Sequence, residues 1–506
     1  RAKIMSSHSE SQYSADMWVF PNSQQMSWDV EGKTRSMPSI YKLALVATGV
    51  LAVLGIVGFI LRLATDGFTA NGHGPWGYYA AAFAYVFLIT GAAPLVAVAF
   101  RITKSHWRRP LSRIGELFAV VGVLNFILYI PLIFILPSIN NPNFGAGVHG
   151  ELATRRTIWM EVPFGAPHLW DFLGLFALAV TSLAILWVSA TPDMAEARSS
   201  ATGLRKLKYN LLSRHWFGTG RQWNHQKANL AILGALYFMM LIFVQFLIVS
   251  DYAMSLIPGW KDSILPPLYA VTGFQSALSL ILVIAFVMRR WGGYRDYIGI
   301  SPFWSASKIQ LGLTLLWTYH LFAFFITFWY GRLEVEQNVL RYLLFESYGP
   351  IFWANLLFIF FIPFFILMWN PLRKTDWGPA LAGASILLGN LLFHIRMFVG
   401  AFNAGDIYDL GLSKVPPAVL PDIWDVFMVI GILGLATFLY LVAAKIIPLL
   451  SIWEVKEGAL YQGRSRASGG DDHAGDRCPA KHPVRRAHAQ DARERDGVPR
   501  HRLLRD

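Results

Sequence analysis

The chain has 506 residues, 55% of them hydrophobic and 15% charged, with a formal net charge of +13. Continuous apolar runs of roughly 20 residues, each able to cross about 30 Å of hydrocarbon, exclude a soluble multidomain protein. The single Cys478 excludes intrachain disulfides, a cysteine-ligated iron–sulfur cluster and a CxxCH haem site.

Residues 1–40 are polar and lack the short apolar core and cleavage site of a signal peptide. They read as a loosely ordered cytoplasmic segment. Because the chain opens on Arg1 rather than Met, the native N-terminus is expected further upstream.

The body, residues 41–449, is expected to be all-α and polytopic, with ten transmembrane helices. They fall at about 41–64, 76–101, 114–137, 165–190, 227–250, 264–288, 309–331, 347–369, 377–400 and 422–449. Spans 2 and 6 resemble each other weakly, and each leads into a basic loop. This parallel repeat predicts two four-helix bundles, spans 2–5 and 6–9, with spans 1 and 10 flanking them. Gly91, Ala92 and Ala93 in the second span suit close helix contact.

Charge is partitioned between the loops. Those after spans 2, 4, 6 and 8 hold about 18 Lys and Arg, and the others about six. The positive-inside rule then puts the N-terminus, the basic loops and the C-terminus in the cytoplasm. The net positive charge therefore speaks for a lipid bilayer and not for nucleic acid.

Residues 450–506 form a cytoplasmic tail that loses all hydrophobic periodicity from about 463. It reads as a disordered basic segment or as a frameshifted ending, and the composition, that of GC-rich DNA read out of frame, favours the second. Cys478 and the tail histidines carry no functional weight on either reading.

Ionisable groups inside a membrane body are costly and are read first as functional candidates. Span 4 begins with His168 and Asp171, span 5 ends with Asp251 and Tyr252, and span 9 carries Asn390, His394 and Arg396 toward the same outer face. Taken singly, the aspartates also read as helix caps or solvated interfacial residues, and Arg396 as a snorkelling cation. Together at one depth they suit a quinol, which loses two protons as it is oxidised and needs an acceptor within hydrogen-bond reach. Asp171 and Asp251 are the candidate proton acceptors.

Glu116, Asn125, Tyr129 and His320 are candidates for a proton path, with core packing or helix capping as the plain alternative. His320 and His394 could in principle ligate a b-type haem, but their depths differ and no second pair exists. Neither haem nor a metal site is expected.

Several stretches resemble the NrfD/PsrC family, the membrane subunits of iron–sulfur/molybdopterin-type respiratory complexes, and most closely the C subunit of alternative complex III. They are PHLWDF at 167–172, PDMAEAR at 192–198, RQWNHQKA at 221–228, SDYAMSLIPGWKDSILPPLYAVTGFQSALSL at 250–280, FITFWYG at 325–331 and LLFHIRMFV at 391–399. The resemblance covers most of residues 75–400. It departs in span 3, where NFILYIPLIF lacks the family's site histidine, and in span 2, which lacks its Gly-His. His168 is the residue placed to compensate.

The resemblance implies a subunit of the bacterial cytoplasmic membrane that binds quinol, menaquinol in particular, near the outer face and holds no redox centre itself. Electrons would pass to an extracytoplasmic iron–sulfur/molybdopterin-type partner. Cytochrome c and other membrane subunits, including a second NrfD-like protein, complete the implied assembly. The outer loops 138–164 and 401–421 would receive the partner. Reduction of an external acceptor by the reverse flow would use the same parts. A secondary transporter, or a structural anchor without a working quinol site, are the alternatives.

Overall fold

The structure is a computed structural model and describes residues 23–68, 74–135, 167–198, 201–213, 215–404, 411–412 and 414–458. Among the described residues every element is helical. Ten helices are long and apolar enough to cross a membrane: Ser39–Asp66, Gly74–Ile102, His106–Ile135, Leu169–Ala197, Gly220–Leu256, Leu265–Arg290, Ser301–Gly331, Gly349–Met368, Trp377–Phe402 and Ile423–Ala444, spans 1 to 10 in order. The protein is an all-α, multi-pass membrane protein.

Spans 2, 3, 4 and 5 close one ring of neighbours, and spans 6, 7, 8 and 9 close a second. The rings join where span 2 meets spans 6 and 9 and span 5 meets span 6, while span 10 pairs with span 1 and leans on spans 2 and 3. Span 2 is consequently the most enclosed helix, and its run of Ala and Gly admits close neighbours on every side. Span 1 turns Ile40, Leu43, Val46, Val50 and Val53 outward, the expected surface of a helix solvated by lipid.

Spans 1 and 10 approach backbone to backbone. A methyl group on Gly431 would overlap the Cα of Gly55, and one on Gly434 would crowd Leu51. Without a hydrophobic drive between helices in lipid, this closeness supplies the van der Waals contact that holds the pair.

Two segments outside the spans pack firmly. Helix Ser23–Arg35 buries Met26, Val30 and Thr34, so this part of the polar N-terminal segment is ordered. Lys33 reaches the Gly293 carbonyl and lies over the rings of Tyr294 and Tyr297, 4.6 and 5.0 Å from their centroids. Beyond span 10, residues 446–458 turn back under the first bundle and bury Leu450, Ile452, Val455 and Glu454. The reading of residues 463–506 lies outside the described residues, as does the whole of loop 138–164.

Candidate functional site

Polar groups collect in two separate clusters at the end of the bundle away from the basic loops. The first lies inside spans 3, 4 and 5. Asp171 sits in a π-helical turn, Pro167–Asp171, that opens span 4, and Asp251 and Tyr252 close the long helix of span 5. A π turn widens the helix and shifts the direction of its side chains, a distortion frequent at functional sites. Tyr252 Oη donates to Tyr129 Oη across 3.0 Å, with the rings nearly perpendicular and 5.9 Å apart. Asp171 lies beside both Asp251 and Tyr129. All four side chains are buried.

Neither oxygen of Asp171 closes a hydrogen bond of regular geometry within the protein. A buried carboxyl normally accepts several, and the groups within reach of this one are Tyr129 and the Asp251 carboxyl.

The second cluster lies in the other bundle. His394 holds its own helix through Nδ1, 2.8 Å from the Asn390 carbonyl, and meets Tyr269 Oη through Nε2 at 3.2 Å. A carbonyl can only accept, so Nδ1 carries the proton and Nε2 receives the tyrosine hydroxyl. Tyr85 stands edge-on to the imidazole at 5.7 Å, and Phe398 stacks on it at the same distance.

Arg396 occupies the next π turn, Ile395–Val399. It donates a long hydrogen bond of 3.4 Å to the Leu343 carbonyl and lies over Phe352 and Phe393, at 5.2 and 5.5 Å. Among the described residues it has no ion pair. Aromatic faces supply part of the compensation a buried guanidinium needs.

Span 2 divides the clusters. Phe83 packs at 5.9 Å from Tyr129, whereas Tyr85 faces His394. Two residues apart on a helix means opposite sides. The structure thus brings Asp171, Asp251, Tyr252 and Tyr129 together, and sets Asn390, His394 and Arg396 apart from them. Of His168 only the backbone is described.

The remaining candidates lie elsewhere. Asn125 donates to Thr90 Oγ1 on span 2 at 2.9 Å and does not share Tyr129's partners. His320 is half-buried on span 7 and bonds the Leu316 carbonyl one turn back at 2.8 Å. Glu116 lies at the opposite, basic end of the first bundle, fully buried.

There Glu116 belongs to an ionic lattice that sequence reasoning missed. Its carboxylate accepts from Arg101 at 2.5 Å and from Ser189 Oγ at 2.7 Å, with Arg113 at 3.5 Å. Arg113 in turn holds Asp193 at 2.6 Å, and Glu454 takes Arg101 and Arg108 on one oxygen at 2.8 Å each. Trp453 bonds Asp193 through its backbone N–H and Ser189 through its indole, both at 3.0 Å. The available signal was PDMAEAR, which places Asp193 within the apolar span 4.

Among the described residues no three His, Cys, Asp or Glu side chains gather as metal ligands. Comparison with known proteins finds no family model and no curated protein that matches the chain. Fold and geometry define a polytopic helical membrane protein with two polar clusters, one in each bundle, near the same end.

Proposed function

We propose that the chain is a quinol-binding membrane subunit of a respiratory or photosynthetic electron-transfer complex, of the NrfD/PsrC kind. The observation that carries this reading is the buried Asp171 in a π-helical turn, set beside Asp251 and two tyrosines. A quinol hydroxyl is the donor such an acceptor takes, and it is acidified as its electrons leave.

In this reading the quinol gives up two electrons and two protons and becomes quinone. The electrons go to an iron–sulfur partner docked on the outer face. The carboxyls of Asp171 and Asp251 receive the protons one after the other and release them to the outer side. Two carboxylates this close are poor company for each other in a dry setting, so transfer to the pair is favoured and retention of both charges is not. Tyr129 and Tyr252 hold the hydroxyl network around the pair. His394 and Arg396, across span 2, contribute electrostatically and do not touch the same ligand. Menaquinol is the favoured substrate, and the basic loops and termini face the cytoplasm of a bacterium.

The test is quinol-driven reduction of the iron–sulfur centres in the native complex, for the wild type and for Asp251→Asn. Loss of the quinol response in an assembled mutant complex supports the reading. No quinol response in the wild type, with the centres still reduced by dithionite, rejects it in favour of a structural anchor.

A transporter is the second reading. Its support is the π-helical break Leu357–Phe361 that follows buried Asn355 at mid-length in span 8. Flux that follows an ion gradient without redox partners would establish it.

A further inference from the structure

A layer of uncharged polar side chains crosses the middle of the second bundle and belongs to neither cluster. Gln275 on span 6 donates from Nε2 to Thr314 Oγ1 on span 7, and Gln310 on span 7 donates from Nε2 to Ser279 Oγ on span 6, both at 2.9 Å. Thr314 donates back to the Gln310 carbonyl at 2.8 Å, and Ser279 to the Gln275 carbonyl at 2.7 Å. Spans 6 and 7 run in opposite directions, so the same Gln-x-x-x-hydroxyl spacing on each closes a reciprocal clasp.

The clasp determines which atoms are left over. Each hydroxyl spends its one proton on a carbonyl and can only accept from the glutamine. Each glutamine must therefore turn its NH2 to the hydroxyl, which leaves Oε1 as a buried acceptor without a partner. Reversing the amide would let the hydroxyl swing to donate to its oxygen and would leave the NH2 as the orphan instead.

Other orphans lie at neighbouring levels. Asn355 donates to the Gly389 carbonyl at 2.6 Å and leaves its Oδ1 unmatched. Asn390, the next residue on span 9, has neither amide atom bonded, and the Ser276 hydroxyl and Trp317 indole N–H also lack partners. Gly383 packs on the Ser279 backbone and fixes the register of span 9 against span 6. By that register Asn390 stands about one turn from Gln275 toward His394.

Six side chains from four helices, none more than 1% exposed, thus present both acceptors and donors with no protein partner. An unmade buried hydrogen bond is costly, and so many at neighbouring levels of one bundle call for partners from outside the protein. We propose that the layer is a bound-water site at mid-depth in the second bundle, anchored on Gln275 and Gln310. Water supplies a donor to amide oxygens and an acceptor to an indole at once, and is small enough to reach such orphans singly. A metal cation would want six or more oxygens, usually with carboxylates among them, and would leave the indole unmatched. Bound water here sets exchangeable protons half-way across the bilayer, in a layer without an ionisable group.

Radiolytic hydroxyl-radical labelling of the full chain in liposomes tests this, because radicals form from water where it is bound. Trp317 is the reporter. Trp76, equally buried with its indole bonded to the Gly67 carbonyl at 2.9 Å, is the dry reference. Trp317 should label at least tenfold faster than Trp76. In Gln275→Leu/Gln310→Leu its rate should fall toward that of Trp76, whose own unchanged rate reports an intact fold. If the double variant does not assemble, Gln310→Met keeps the volume and should lower the Trp317 rate alone. Labelling of Trp317 no faster than Trp76, or unchanged in a folded variant, overturns the proposal.

Discussion

Arg113 and Asp193 meet at 2.6 Å with both side chains sealed from solvent, one from the start of span 3 and the other from the end of span 4. A pair of this kind is weak evidence for added stability when whole, but removing one partner strands the other charge. Arg113→Met should cost about 3–5 kcal/mol and lower the thermal midpoint in detergent by many degrees. An unchanged midpoint would mean that water or another cation reaches Asp193.

Glu454 gives the lattice a pH signature. Burial on its own raises its carboxyl, but Arg108 and Arg101 outweigh burial and hold it at about 2, below the ordinary 4.5. A depressed carboxyl stabilises the fold fully above its unfolded value and ceases to do so as pH falls through the folded one. The contribution, about 3 kcal/mol, should therefore be constant above about pH 4.5, shrink below it and vanish near pH 2. Unfolding midpoints of wild type and Glu454→Gln, compared from pH 7 to pH 3, should converge only at the acid end. A gap that stays constant down to pH 3 would count against this assignment.

The crossing of spans 1 and 10 predicts a contrast between two glycines. Gly431→Ala must push its methyl into the Gly55 backbone and should cost about 1–3 kcal/mol. Gly312→Ala meets nothing within 4 Å and should be neutral or stabilising by up to about 1 kcal/mol. Thermal midpoints of the two single variants decide it, and equal values would sink the close-contact argument.

Tyr269 and His394 should behave as a pair. Tyr269→Phe leaves Nε2 of the imidazole a buried acceptor with nothing to accept, at about 1–3 kcal/mol. Removing both polar groups in Tyr269→Phe/His394→Leu should recover part of that loss. A double variant as unstable as the sum of the singles would show that the 3.2 Å contact carries no coupling.

How far the sequence reaches depends on how local the signal is. The ten spans are legible because a run of apolar residues is a local property, and the described helices fall within several residues of the expected limits. The grouping into spans 2–5 and 6–9 follows from the repeat. Asp171 and Asp251 stand out because acids inside apolar runs are rare. Depth along a helix can be read from a sequence, but direction around it is harder to read. His394 and Arg396 end on the far side of span 2 for that reason. The ionic lattice was least legible, since nothing near Arg101 announces a partner at Glu454.

That last contact bears on biogenesis. Arg101 and Arg108 emerge from the ribosome with spans 2 and 3, and the Glu454 carboxylate that they share follows only after span 10. Span 1 likewise waits for span 10 as its main neighbour. The helices can enter the bilayer in order, but the first bundle cannot finish its assembly in that order. A nascent chain stopped before Ser451 should hold all ten spans and still leave Arg108 without its carboxylate at the basic end, with Arg101 held by Glu116 alone, a ready mark for quality-control proteases of an unfinished protein.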